Sequence, residues 1–476
     1  MTFKLRNLVA ATLAGSMLMG FGANAMADST TDIVNALVAK GVLTEEEGAL
    51  LTKGRTDEAA GQAKALKKAS KLSVSDALDS ATLYGDIRVR AEHREGNGVS
   101  TTAPTSTTSG TGPVVDVNRD RARYKLTFGV KTKSGDWYTD LALAMGANGR
   151  SDNATFGKSS SSLNDKEALY VKRAMVGYTA TDWLTVEAGR AENPLYTTPM
   201  VWDADLTVEG LIEKFKFKAG NTDLFFTALQ ASYKGDRSVT STTAGAPAVT
   251  TTTELFAFQG GAKFAINDNA SAKAALTYTD YSHNTSATPF KPGLSTTYLS
   301  TNASVNDLNT IEIPAELNYM VSSNVGIRAF GDYVNNLSGT DRYNAACAAS
   351  SIYCGLGDDH TAWMFGVAVG SAKDLKAFES NKMVKGDWAA RVWYQDVGTY
   401  AVDQNAVDSD IFDSRVNMKG TTFKAQYNIQ DNVFANFAYG HATRKNSSIA
   451  AAGGGNDIPL NLNSFDLIQL DLTYKF

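Results

Sequence analysis

From Leu83 to Phe476, apolar and polar residues alternate with a period of two, in runs of about ten residues divided by turn signals. In one run Ala122, Tyr124, Leu126, Phe128 and Val130 share a face, and Arg123, Lys125, Thr127, Gly129 and Lys131 share the other. Such a run suits half of a soluble sandwich as well as a membrane strand, so the connections have to decide. Sixteen runs occur, near 83–94, 121–133, 137–148, 167–179, 183–190, 208–218, 224–233, 254–266, 270–281, 308–319, 324–333, 360–372, 386–398, 419–428, 433–443 and 465–476. Short turns such as Ser134-Gly135-Asp136, Thr181-Asp182, Asn267-Asp268-Asn269 and Gln430-Asp431-Asn432 alternate with long polar loops, among them Gly96 to Asp120 and Lys234 to Thr253. An even number of strands joined in this way puts both chain ends on one side. The pattern predicts an all-β fold, a transmembrane antiparallel β-barrel of about 16 strands over residues 83–476. One connection on the short side, Lys373 to Lys385, is long, which leaves 14 or 18 strands as alternatives.

The N-terminus follows other rules. Lys4 and Arg6 precede an apolar stretch from Leu8 to Phe21, and Ala25-Met26-Ala27 forms a small-x-small cleavage site, so residues 1–27 read as a secretory signal peptide. Residues 28–80 are rich in Ala, Leu, Lys and Glu and read as a helical periplasmic segment. Ile33, Leu37 and Val38 recur at helical spacing, Gly41 stops the helix, and Thr44 with Glu47 makes a capping box. A solvated linker, a trimeric helical bundle, a lumen plug and a cell-wall contact all fit this segment.

Composition narrows the function. With 43% hydrophobic residues, 21 Phe, 19 Tyr and 6 Trp, the chain is no disordered tail protein. No apolar run of helix-spanning length follows the signal peptide. Two Cys exclude a haem array or a cysteine-built zinc cluster, and no metal or cofactor is expected. A pI near 5.6 argues against nucleic acid as a partner.

At the chain end Ile468, Leu470, Leu472, Tyr474 and Phe476 alternate with Gln469, Asp471, Thr473 and Lys475. Tyr474 and the terminal Phe476 resemble the assembly signal read by the outer-membrane barrel-assembly machinery. Two further runs resemble the proteobacterial "putative porin" family. One comprises Gly189-Arg190, Asn193-Pro194, Val201-Trp202-Asp203, Asp205-Leu206 and Glu209-Gly210; the other Gly386-Asp387-Trp388, Tyr394, Asp408-Ser409-Asp410 and Lys419-Gly420. The helical segment containing Gly41 to Glu47 is also similar to that family's N-terminal region. The resemblance implies a passive pore in the outer membrane of a Gram-negative bacterium, and similarity to sixteen-stranded porins implies a homotrimer in outer-membrane lipid.

With apolar positions turned to lipid, the inward basic positions include Arg88, Arg90, Arg121, Arg123, Lys125, Lys131, Arg173, Lys214, Lys216, Lys218, Lys263, Lys273, Arg328, Arg391 and Lys424. The inward acids are fewer: Asp86, Glu92, Asp140, Glu187, Glu312, Glu316 and Asp332. A basic ladder in a confined channel would favour small anionic solutes; alternatively, these charges pair with acids and only solvate the lumen. The loop Ala191 to Thr207 holds Glu192, Trp202, Asp203 and Asp205 and is expected to fold inward as a constriction, its acids facing the wall of Arg88, Arg90, Arg121, Arg123 and Lys125. An ordinary outer loop is the other reading.

Cys347 and Cys354, seven apart in one loop of an exported chain, are expected to form a disulfide. His93, His283, His360 and His441 are isolated, and no nucleophile motif accompanies them, so an enzyme is not expected. The function that follows is a water-filled channel for passive diffusion of small hydrophilic solutes. The competing reading is a structural barrel that sheathes a partner such as a multihaem cytochrome.

Overall fold

The computed structural model describes residues 77–100, 113–146, 151–157, 166–234, 253–282, 305–371, 384–449, 457, 458 and 460–476. The signal peptide and residues 28–76 of the segment 28–80 read as helical lie outside the described residues; residues 77–79 are turn and bend rather than helix, and Ser80 already opens the first strand.

The strands are β1 (Ser80–Ser100), β2 (Val114–Ser134), β3 (Trp137–Gly146), β4 (Ala154–Thr155), β5 (Ala168–Thr181), β6 (Leu184–Glu192), β7 (Thr207–Ala219), β8 (Thr222–Lys234), β9 (Thr253–Asn267), β10 (Ala270–Ser282), β11 (Asn309–Glu312), β12 (Ala315–Met320), β13 (Gly326–Asn336), β14 (Thr361–Gly370), β15 (Trp388–Val397), β16 (Met418–Gln430), β17 (Val433–Arg444) and β18 (Leu460–Lys475). A helix, α1 (Gly339–Ala349), interrupts the loop between β13 and β14. All pairings are antiparallel and follow chain order, except that β3 does not pair with β4, β4 with β5 or β11 with β12, and β18 returns to β1 in a register running from Asp86 opposite Lys475 to Ser100 opposite Leu460. Phe476 and Gly85 exchange backbone hydrogen bonds of 3.0 Å in both directions, so pairing reaches the last residue. The sheet therefore closes on itself and has no terminal edge strand.

Eighteen segments make sixteen staves. β3 and β4 both pair with β2 and are one stave broken by an excursion. β11 and β12 both pair with β10 and β13 and are one stave interrupted at Ile313-Pro314, where proline has no N–H for the ladder. The alternatives of 14 and 18 strands are therefore set aside. β1 and β2 also run well into the expected loop Gly96 to Asp120, to Ser100 and from Val114. That hairpin continues because Asn97 bonds Asp116 across it and Val115 and Val117 pack inward on the core.

The outer face is apolar, with half-exposed Leu83, Ile87, Val89, Leu141, Val176, Val367 and Leu470. Aromatic side chains mark both ends of this band. Near the short turns Trp137 meets Tyr178 at 4.6 Å and Trp183 stacks on Phe217 at 5.9 Å; near the long loops Tyr124 meets Phe156 at 5.1 Å and Trp363 meets Tyr394 at 5.5 Å.

The inner face departs from simple polarity toward the long-loop end. Val334, Met364, Trp393, Phe465 and Leu467 turn inward there and bury Tyr400, Val402, Val407, Ile411 and Phe412 of the β15–β16 loop. On another part of the wall Val208, Ile212, Leu229, Leu255 and Ala257 pack against Leu195 and Trp202 of the β6–β7 loop. Both loops are drawn inside by burial of apolar surface.

Candidate functional site

Residues 193–206, the β6–β7 loop, lie against the inner wall. Three consecutive hydroxyls seat it on three acids: Tyr196 donates to Glu316 at 3.0 Å, Thr197 to Glu312 at 2.5 Å, and Thr198 to Asp332. The backbone N–H of Tyr196 donates to Gln259 at 2.8 Å. Gln259, Glu312, Glu316 and Asp332 belong to β9, β11, β12 and β13, so the loop crosses several staves from its origin on β6.

Sequence reasoning missed a second infolded loop, residues 398–417 between β15 and β16. It is nearly all buried and has Asp413, Ser414 and Asn417 at positive φ. Such strain persists only where the surroundings dictate it. Asp413 accepts from the backbone of Asp457 at 2.9 Å and from Arg94 at 3.2 Å, and the Asn417 amide donates to the carbonyls of Asn446 and Ile449. The two loops are tied together: Asp203 N–H donates to Ala406 at 2.6 Å, Asp408 N–H to Pro199 at 3.0 Å, and Ser409 N–H to the Asp203 carboxylate at 3.1 Å. The only sequence signal for the second loop was Asp408-Ser409-Asp410 within the run resembling a family.

The arginines of β1 and β2 meet acids from four directions. Arg90 makes a two-pronged contact with Asp471 at 2.7 and 2.9 Å and reaches Asp410 at 2.7 Å. Arg94 contacts Glu92 at 3.0 Å, Asp410 at 2.8 Å and Asp457 at 3.4 Å. Arg121 pairs with Glu92 and Asp457. Arg88 donates to Asn153 at 2.5 Å and lies 3.6 Å from Asp471, while Arg123 donates to Ser151 at 2.9 Å. Asp205 does face this wall, 3.5 Å from Lys125 and 3.9 Å from Lys172. Asp203 pairs with none of these basic side chains: its carboxylate accepts from the backbone N–H groups of Asp205 and Ser409.

These loop acids titrate apart. Burial, with Asp408 and Asp205 adding repulsion, pushes Asp203 up to about 7. Burial would also raise Asp205, but Lys125, Lys172 and Arg88 outweigh it and lower the group to about 2. Asp410 is likewise held well below the usual carboxylate range, because Arg90 and Arg94 overcome the cost of burying it.

Elsewhere on the inner wall Arg173 binds Tyr84 at 2.6 Å, Asp140 at 3.1 Å and also Glu192. Its neighbour Lys172 binds Asp152, since a register shift at Ala142/Leu143 turns both basic side chains inward, against strict alternation. Lys214 pairs with Glu187 at 2.7 Å, and Lys216 follows on the same face of β7 and is exposed. Arg328 lies 3.8 Å from Glu316, and Arg391 stacks over Trp393 at 5.4 Å. Trp202 donates to Leu206 at 3.4 Å and packs on the inner wall. Cys347 of α1 and Cys354 form a disulfide. Tyr474 faces outward with its ring 6.2 Å from Phe476. A Cβ at Gly85 would stand 2.6 Å from the Phe476 ring, so glycine there admits the terminal side chain.

No curated protein matches the chain. Residues 76–307 match the family described as "Putative porin", a stretch that takes in β1 to β10 and the first of the two resembling runs. Over that stretch, just under half of the chain, the sequence is similar to that family, and the closed all-β barrel fits a porin-like channel.

Proposed function

We propose that the barrel is a non-enzymatic outer-membrane porin through which small hydrophilic solutes diffuse passively, with a weak preference for anions. The observation that carries this reading is a closed wall with an apolar, aromatic-bounded exterior and an interior lined by charged side chains, Arg and Lys together with Asp and Glu. An exterior of that kind suits lipid, and the pairing of Phe476 with Gly85 suits a terminal residue read during barrel assembly. The constriction is assigned to the β6–β7 loop, with Glu192, Trp202, Asp203 and Asp205, joined by residues 398–417. A homotrimer is proposed by analogy with sixteen-stranded porins. Single-channel recording in planar bilayers, with reversal potentials under a salt gradient, tests the reading: discrete openings that favour chloride over potassium are expected. A barrel that inserts yet passes no current would overturn it.

The depth at which residues 398–417 are buried favours a second reading, a barrel that sheathes a partner such as a multihaem cytochrome without conducting solute. Haem copurifying with a silent barrel would select it.

A further inference from the structure

One part of the outer face is not apolar. On β7 Val208, Ile212 and Lys214 turn inward, so Glu209, Leu211, Glu213, Phe215 and Phe217 turn outward. Arg190 of β6 lies opposite Glu209 and pairs with it, and its Nε donates to the Lys172 carbonyl at 3.1 Å. Gln230 of β8, outward beside inward Leu229, donates to one oxygen of Glu213 at 3.3 Å. The other Glu213 oxygen is buried and has no hydrogen-bond partner among the described residues.

Depth sets these groups apart. Arg190 and Glu213 each stand six residues along from the short-turn end of their strand. At about 3.3 Å per residue and a tilt near 40°, that is about 15 Å above the short-turn end, inside an apolar band about 25 Å tall. The outward residues at the same count on β2, β3, β10, β15 and β17 are Phe128, Leu143, Leu276, Tyr394 and Tyr439. Hydrocarbon offers nothing to a carboxylate with one oxygen unmet, and ionisable groups at this depth face protein or water. The same face has a notch. Gly260 of β9 is exposed, and a Cβ there would meet nothing within 4 Å. Phe226 and Leu276 flank it across the sheet, and Phe258 and Ala262 share its face of β9. A glycine inside a strand weakens the strand and often marks a place where another chain approaches closely.

We infer that the outer face of β6 to β9 is where copies of this chain meet in the membrane, three barrels closing about β7. Around a three-fold axis the β6 side of one copy, with Arg190, meets the β8–β9 side of the next, with Gln230 and the Gly260 notch, and Glu213 lies near the axis. The occupant is a second copy rather than lipid because the face carries both signs of charge. A guanidinium stands on one side and carboxylates with an amide toward the other, so each side complements the next copy's. The inference rests on the trimer proposed above for the number of copies, and on Arg190, Glu213, Gln230 and Gly260 for the face.

Thiol cross-linking of the intact barrel in its membrane tests the face. Both native cysteines are joined to each other, so only introduced thiols react. Arg190→Cys/Gln230→Cys should oxidise to covalent pairs and triples; the two positions lie on β6 and β8, too far apart to bond within one chain. Tyr333→Cys/Val392→Cys, also two strands apart but on β13 and β15, should stay single. Gly260→Trp fills the notch and should reduce the sedimenting mass in mild detergent to that of one barrel, with heat-modifiable migration retained as proof of folding. Should that migration be lost, Gln230→Trp takes its place. Val367→Trp, on β14, should leave the mass unchanged. Covalent triples together with a single-barrel Gly260→Trp variant support the face and the ring. Cross-links that stop at pairs support the face and refute three-fold closure. A wild-type oligomer that neither cross-links here nor responds to Gly260→Trp overturns the face and leaves the trimer, whereas a wild type that sediments as one barrel and never cross-links overturns both.

Discussion

Arg94 shows what one side chain does inside this barrel. Its guanidinium is almost wholly buried and meets Glu92, Asp410, Asp413 and Asp457, which belong to β1, the second infolded loop and the β17–β18 connection. Arg94→Met would leave these acids without their common cation, a loss on the order of 3–5 kcal/mol for a broken buried pair. Faster limited proteolysis within residues 398–417 is expected, and a cleavage rate equal to wild type would count against the role. Asp203 makes a pH-dependent prediction. Its folded value of about 7 stands above the ordinary 3.8, so its contribution to stability is complete below about pH 4 and is lost as pH rises through 7. Asp203→Asn cannot ionise and escapes that loss. Melting temperatures measured from about pH 5 to about pH 8 should shift in favour of the variant as pH rises; parallel profiles would refute the assignment.

At the scale of elements, the disulfide and the terminal strand make opposite predictions. Cys347–Cys354 closes a short loop at the end of α1. Its removal by Cys347→Ser/Cys354→Ser should cost at most about 2.5 kcal/mol in the chain-entropy model and leave conductance unchanged, since neither cysteine takes part in the bonds that join residues 193–206 to residues 398–417. A changed single-channel conductance would show that the loop reaches the lumen. Phe476, by contrast, supplies the last two hydrogen bonds of barrel closure and a ring seated against Gly85. Deleting it should impair assembly, read as a loss of heat-modifiable migration, and normal migration would remove the claim.

Across the whole molecule, the distribution of charge pairing bears on selectivity. Arg90, Arg94 and Arg121 are already paired with acids, while Arg123 donates to Ser151 and Lys125 lies 3.5 Å from Asp152 and Asp205. Charges in a confined water column act on every passing ion, so replacing Arg121, Arg123 and Lys125 together by Gln should move the reversal potential toward cations. No movement would mean that the paired arginines only solvate the wall. Sedimentation in mild detergent tests the proposed trimer, and a monomer mass would remove it.

Local pattern was enough for the wall. Because side chains on a strand alternate, sixteen staves and the inward turn of Arg88, Arg90 and Arg123 could be read residue by residue. Lys172 could not, because a bulge breaks that local rule. Nor could the partners of the arginines: Asp471 stands 381 residues from Arg90 and meets it only because β18 closes on β1. The same holds for the second infolded loop. Its direction depends on apolar inner-wall residues from β13 to β18 that must be covered together, and no single strand's alternation reveals that they share one surface. Sequence by itself therefore determined the barrel and the faces of its strands, while closure and loop burial decided which charges are paired inside it, since pairing depends on distances in space that a period along the chain does not contain.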